Sequence, residues 1–522
     1  MTQSLLLPRA DEVEPTRGRH LTGVEFLLPL FSVVILLVVP AALFVAPVLA
    51  GPVSFGVPAA LFAVSVVYCA VRLGSLMWEA EPRWSVLGLW MFSYAWFAVS
   101  GLTQTLADRN PLGFTLPQSL ATEQAALVLA GLLCFDVASR VRPRNPGSAL
   151  PAALGRRVRG RVLSPGRVLL LGVGTLVTAP AFIALLGGPR VLLSDRQSVY
   201  EQLSASGLYS SASNATGGLV SVIGGVLPFV ALICLAKLLA DDPVFRRRTE
   251  VWLLGTALVG LNVLMNNPIS NARYWAFAIV LAFFFTWRGS TRPAVITTFV
   301  TIFALSALIV FPYLDAFRVS ASTAKTIRTP SYSQPVDYVL GKTDYASITD
   351  IAVSIRVADH LGHSYGRQLL GAATFWVPRS IWPGKPDNTA FLIADEIAFP
   401  NRNLDSPLWA EGYVDFGWVG ACGLLALFGL GARRLDDAFV ALRGVRTRAV
   451  PLVAVAVPVL AGYEYILIRG SLLQAMARIV TILVLLAAVS HVPRRAGPPE
   501  ELPAEPPVGL RAVRPEPAGS LS

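Results

Sequence analysis

Apolar stretches long enough to cross a bilayer recur through this chain, and that leaves few folds open to it. A lipid span takes about 20 apolar residues as a helix, because each backbone N–H and C=O must be paired within the segment. Such stretches fall at 23–50 and then at about 53–74, 84–106, 119–138, 167–187, 216–240, 251–267, 272–288, 293–312, 412–432, 449–468 and 471–491, which makes twelve. The first is too long for a signal-peptide core and has no clear cleavage motif, so it reads as an uncleaved anchor. The two flanking Asn266-Asn267-Pro268 are the shortest. Only 14% of residues are charged, against roughly 25% in soluble domains. The expectation is an all-α polytopic membrane protein with about 12 transmembrane helices. Its parts would be a disordered cytoplasmic head (1–22), a bundle of about nine spans (23–312), a large extracytoplasmic loop with short helices (313–411), about three further spans (412–491) and a disordered cytoplasmic tail rich in Pro and Glu (492–522).

The net charge of +11 is distributed by topology. Arg140, Arg142, Arg144, Arg156, Arg157, Arg159, Arg161 and Arg167 crowd one loop, and Arg246-Arg247-Arg248 another on the same side. The short loops of the opposite side hold only Arg109, Arg190, Arg196, Arg273 and Arg469. Basic loops stay inside, so both termini are expected in the cytoplasm of a multi-pass protein of the cytoplasmic membrane. Arginines placed this way give no reason to expect nucleic acid.

The same orientation puts the one long polar interruption, 312–411, outside. Within it, Phe375-Trp376-Val377-Pro378-Arg379-Ser380-Ile381-Trp382-Pro383-Gly384-Lys385-Pro386 packs aromatics, prolines and two cations into a short run. A flexible linker has no use for such residues; stiff kinks, amphipathic rings and adjacent cations suit an anionic lipid headgroup. Ser347-Ile348-Thr349-Asp350 reads as a capping box. It opens a helix whose apolar face, Ile348, Ile351, Ala352, Ile355 and Leu361, would lie on the membrane surface or at the mouth of the bundle. A second short helix is expected near 368–376, ending at Pro378.

Several chemistries lack their residues. There is no phosphate-cradling Gly-rich loop and no Cys/His cluster; His360 and His363 alone do not make a metal site, and the four cysteines lie in apolar runs. No cofactor and no metal are expected. The first outer loop, around 51–53, holds no acid, which argues against helical-bundle glycosyltransferases that keep a carboxylate there. What remains on the outer side is a set of cations. Arg379, Lys385, Arg318, Arg273, Arg196 and Arg478 are the candidates for binding a lipid diphosphate, since guanidinium offers planar two-pronged hydrogen bonding to phosphate. Arg478 falls about two turns into the last span, where an arginine costs on the order of 3 kcal/mol unless paired or wet. It could pair with Glu464 of the preceding span, bind phosphate, or both. Among the outer acids, Glu411, Asp415 and Asp344 are candidates for a base that receives a sugar hydroxyl proton. Glu411 and Asp415 stand four apart and could equally favour a helix N-terminus.

Pro378-Arg379-Ser380-Ile381-Trp382-Pro383-Gly384-Lys385-Pro386, followed by Glu411-Gly412-Tyr413-Val414-Asp415-Phe416-Gly417-Trp418-Val419-Gly420 entering a span, resembles the oligosaccharide repeat-unit polymerases, the Wzy-type O-antigen polymerases related to the O-antigen ligases. The resemblance implies a GT-C-like, metal-independent glycosyltransferase bundle acting on undecaprenyl-diphosphate-linked glycan donor and acceptor. It also implies membrane lipids, a flippase and a chain-length regulator as partners. In the ligases a His followed by a small polar residue precedes the Gly-x-x-Gly; here Ser406-Pro407 occupies that place, which turns the expectation from ligase to polymerase. The ligase, or a lipid-linked glycan flippase or other transporter, is the alternative. The flippase reading expects short loops throughout, whereas this chain has one long one.

Overall fold

The computed structural model describes residues 23–79, 81–141, 160–185, 187–193, 214–268, 273–311, 334–400, 402, 404–442 and 449–493. The expected disordered head, most of the tail, Arg196 and Arg318 lie outside the described residues. Helix dominates the rest, and all twelve apolar stretches contain one. Seven helices are long and apolar enough to cross a membrane: Phe26–Leu49, Val57–Glu79, Trp84–Leu106, Gln118–Arg140, Pro165–Leu185, Ile223–Asp241 and Leu408–Val440. Thr249–Met265, Arg273–Thr286, Pro293–Ile309, Val453–Arg469 and Leu472–Ala488 are shorter.

Trp84–Leu106 is the axis of the bundle and is buried on nearly every side. Its middle, Ser93–Val99, widens into a π-helix. Such a bulge shifts the register of side chains that a regular helix would place elsewhere. The shift brings Trp96 to stack on Phe92 beneath it and on Tyr345 of the outer block. Gln118–Arg140 packs along Leu408–Val440, and Arg273–Thr286 along Val453–Arg469. At the end opposite the outer block, Val162–Leu163 pairs antiparallel with Ser490–His491. There Arg161 donates to the carbonyls of Ala487 and Ser490 at 2.9 Å each, capping the last helix with positive charge. At least one arginine of the basic loop is therefore also a clasp.

The block expected to face outward is a layer of short helices set into one end of the bundle. Pro335–Gly341 and Thr343–Tyr345 lead into Ser347–Leu361. The helix starts where the sequence indicates, but the capping box does not form: Ala346 is the N-cap, and Ser347 Oγ donates to Asp405 at 2.5 Å. Ile348, Ile351, Ala352 and Ile355 are buried, so this helix belongs to the mouth of the bundle, and only Leu361 of that face is exposed. Arg367–Ala373 is the second expected short helix.

Leu408–Val440 is bent hard at Phe416 and Gly417. Gly417 adopts φ 60°, ψ −143°, a conformation closed to residues with a Cβ, and the chain folds back enough for Gly412 to meet Gly420. The Gly417-x-x-Gly420 motif is thus a hinge and a close-packing point. It delivers Leu408–Asp415 to the outer layer and the remainder to the bundle.

Candidate functional site

The described part of one bundle helix, Arg273–Thr286, packs along Val453–Arg469. Tyr274 lies 6.3 Å from Trp96, the middle of Trp84–Leu106. Charge at that depth needs partners, and it has them.

Arg273 donates to Asp344 at 2.9 Å, and Tyr338 donates to the same carboxylate oxygen at 2.9 Å. Arg469, at the end of Val453–Arg469, lies 3.9 Å from Asp344 and 2.6 Å from Asp405, with its guanidinium 4.0 Å above the Tyr274 ring. Asp350 is fully buried beside Asp405. Burial, and then the neighbouring Asp405 charge, hold the Asp350 carboxyl well above the usual range. Burial raises Asp405 to about 6, with the Arg469 guanidinium opposing. Among the described residues the cluster brings together two arginines and three carboxyl groups.

The other expected carboxylates hold segments together. Asp415 accepts from the N–H groups of Gly366 and Gln368 at 3.1 Å and of Leu369 at 2.8 Å, and from the Ser364 hydroxyl. It fastens the start of Arg367–Ala373 to the bend. Glu411 accepts from the Thr389 hydroxyl at 2.7 Å and from Leu472 N–H at 2.9 Å, the first residue of the last bundle helix. The preference of acids for helix N-termini is realised at both, though on neighbouring helices and not their own.

Lys385 departs from its expected role. Its ammonium donates to the carbonyls of Thr374, Phe375 and Val377 at 3.1, 2.8 and 3.0 Å and is buried. Three donors meet three acceptors, which leaves none for phosphate. Arg379 pairs with Asp387 at 2.5 Å and donates to the Lys385 carbonyl at 2.8 Å, while its side chain stays 52% exposed. The motif is a self-bonded loop with one accessible guanidinium.

Arg478 does not pair with Glu464. That glutamate turns to Ser85 and Gly88 on the axial helix. The Arg478 guanidinium lies 5.1 Å from the centre of the Trp275 ring, beside Tyr463. Trp275 is fixed in turn: its indole N–H donates to Asn266 at 2.9 Å, and Asn266 donates to Gly225 and Asn262. The Asn266-Asn267-Pro268 break between two short helices thereby positions a tryptophan shelf for the arginine. Arg478 is partly exposed, and among the described residues it has no carboxylate partner. Composition shows that arginines and acids are present at the outer ends of spans; which ones neutralise each other is decided by helix packing, and Asp405 and Asp350 carried no signal that separated them from other loop acids.

His360 pairs with Glu396 at 2.8 Å, whereas His363 stacks edge-on to Tyr413, so the two share no partner. Among the described residues no group of three His, Cys, Asp or Glu stands close enough to hold a metal ion. Compared with known protein families, curated proteins and solved structures, the chain has no significant match in any of the three.

Proposed function

We propose that this protein is a membrane glycosyltransferase that polymerises undecaprenyl-diphosphate-linked oligosaccharide repeat units into surface polysaccharide, with twelve spans, both termini in the cytoplasm and the transfer on the outer side of the cytoplasmic membrane. The observation that supports it most is Arg478: a guanidinium within an apolar helix, set on a fixed tryptophan, with an exposed edge and no carboxylate among the described residues. A cation at that depth with no carboxylate among the described residues is costly, and an anion with a lipid tail reaches it from the membrane.

In the transfer, an acceptor hydroxyl attacks the anomeric carbon of the donor glycan. The bond from that carbon to the diphosphate oxygen breaks, and the hydroxyl proton passes to a carboxylate. Arg478 stabilises the charge that develops on the departing diphosphate. Arg379 is a second phosphate ligand if phosphate displaces Asp387, and Arg196 and Arg318 complete the proposed set. Arg273 serves as the counter-ion of Asp344. Asp344, Glu411 and Asp415 are the candidate bases, each of which would release one of its present donors to receive the proton. Diphosphate departs readily, so positioning does most of the catalysis.

One observation favours a second reading, transport of a lipid-linked glycan: Glu464, 3% exposed within its helix, faces Ser85 and has no basic partner among the described residues. Undecaprenyl diphosphate binding, followed by native mass spectrometry in nanodiscs, tests the site. Arg478→Gln lowers the bound fraction about tenfold on the proposed reading; wild-type binding by this variant rejects Arg478 as the ligand.

A further inference from the structure

Between Leu361 and Ile381 the outer layer presents large apolar side chains that nothing among the described residues covers: Leu361 is 70% exposed, Tyr365 80%, Trp376 63% and Ile381 75%, with Leu370 also exposed. Scattered apolar exposure is ordinary on any surface, but a contiguous stretch of this kind marks an interaction site. Tyr365 adds a second sign. It adopts φ 49°, a conformation that residues with a Cβ rarely take, and in doing so holds its ring outward.

The stretch adjoins the lipid-facing surface of the bundle. Asp415 clamps residues 364–369 to the outer end of the bend in Leu408–Val440. The Phe416 ring abuts Gly366, where an added Cβ would lie 2.9 Å away. Phe416, Trp418 and Val419 are themselves exposed, Val419 to 80%, in a helix with a window apolar enough to cross a membrane. Arg367–Ala373 also packs against Leu472–Ala488, so it lies across the ends of two bundle helices. Arg367 and Arg379 are exposed in the same stretch, Arg367 donating to the Gly384 carbonyl and Arg379 paired with Asp387.

We infer that Leu361–Ile381 is seated in the lipid leaflet at that end of the bundle, as an in-plane collar. Trp376, Ile381 and Leu370 are among the acyl chains, Tyr365 is at the headgroup boundary, and Arg367 and Arg379 are level with the phosphates. Amphipathic rings partition to that boundary, and short arginine-flanked apolar segments lie in it without crossing. The occupant of this surface is phospholipid. The inference rests on the exposed face and its continuity with the bundle, and stands apart from the reading of Arg478.

The test is depth. In a variant lacking Cys69, Cys134, Cys234 and Cys422, Ile381→Cys and, separately, Trp376→Cys are labelled with an environment-sensitive nitrobenzoxadiazole dye. The full chain is then reconstituted in phosphatidylcholine–phosphatidylglycerol vesicles. Arg402→Cys is the aqueous control, since Arg402 is exposed in the same outer layer. The collar predicts blue-shifted emission at 381 and 376, loss of emission with lipids doxyl-labelled on the acyl chain, and shielding from iodide, with the reverse at 402. Iodide quenching at 381 and 376 equal to that at 402 overturns it. Shielding from both quenchers also overturns it, because a protein partner and not lipid would then cover the face.

Discussion

Gly412 and Gly420 meet backbone to backbone across the bend at Gly417. A Cβ on Gly420 would fall 2.0 Å from the Gly412 carbonyl oxygen, and one on Gly412 would fall 2.6 Å from the Gly420 carbonyl carbon. The bend aims Asp415 at one segment and Glu411 at another. Gly420→Ala must push the two arms apart, at a cost of about 1–3 kcal/mol. Gly423→Ala, three residues on with open space around it, is harmless or stabilising. Thermal unfolding in detergent should separate the two by several degrees, and equal midpoints contradict the close contact.

Asp350 is predicted to be a neutral acid, and the sign of its effect follows. Folded Asp405 titrates at about 6 against an ordinary 3.8, and Asp350 is raised as well. The folded state thus binds more protons than the unfolded state between these values. This contribution is present in full below about 3.8 and is lost as pH rises through about 6. Asp350→Asn supplies the neutral form permanently. It should raise the apparent Tm at pH 7.5 and reduce the gain seen in wild type on acidification to pH 5. An unchanged pH dependence counts against a protonated Asp350. Asp405→Asn should instead destabilise by about 3 kcal/mol, because Arg469 loses its closest carboxylate.

Lys385→Met keeps the length of the side chain but removes three hydrogen bonds to loop carbonyls. Each carbonyl left unsatisfied costs up to about 1–3 kcal/mol, less where water reaches it. The variant should be cleaved within 374–386 by limited proteolysis under conditions that spare wild type. Resistance equal to wild type shows that the ammonium is dispensable there.

The elements of this fold were largely legible in the sequence because lipid imposes one strong periodic demand, and each apolar stretch contains a helix close to its expected bounds. The Gly417 hinge was visible only as a weak motif, since no sequence pattern reveals that Gly412 and Gly420 touch. The site was less legible. Arg273 with Asp344 could be named by residue type, but their pairing depends on which helices and loops pack together. Lys385 shows the limit: a lysine beside aromatics and prolines reads as an anion ligand until three carbonyls are seen to converge on it.

The orientation is tested by cysteine accessibility in intact cells. Arg402→Cys should react with a membrane-impermeant maleimide, and Arg247→Cys only after lysis, because loops with few basic residues face outward. The opposite pattern inverts the proposed topology.

The most direct test of the central claim is turnover by purified protein in liposomes supplied with undecaprenyl-diphosphate-linked repeat units. The account predicts a ladder of glycans that lengthens one repeat at a time. It also predicts that Arg478→Gln, matched in amount and in Tm, makes the ladder roughly tenfold to a hundredfold more slowly, equivalent to about 1.4–2.8 kcal/mol of lost transition-state stabilisation. Substrate that the wild-type protein leaves unextended, or a wild-type ladder from Arg478→Gln, would contradict it.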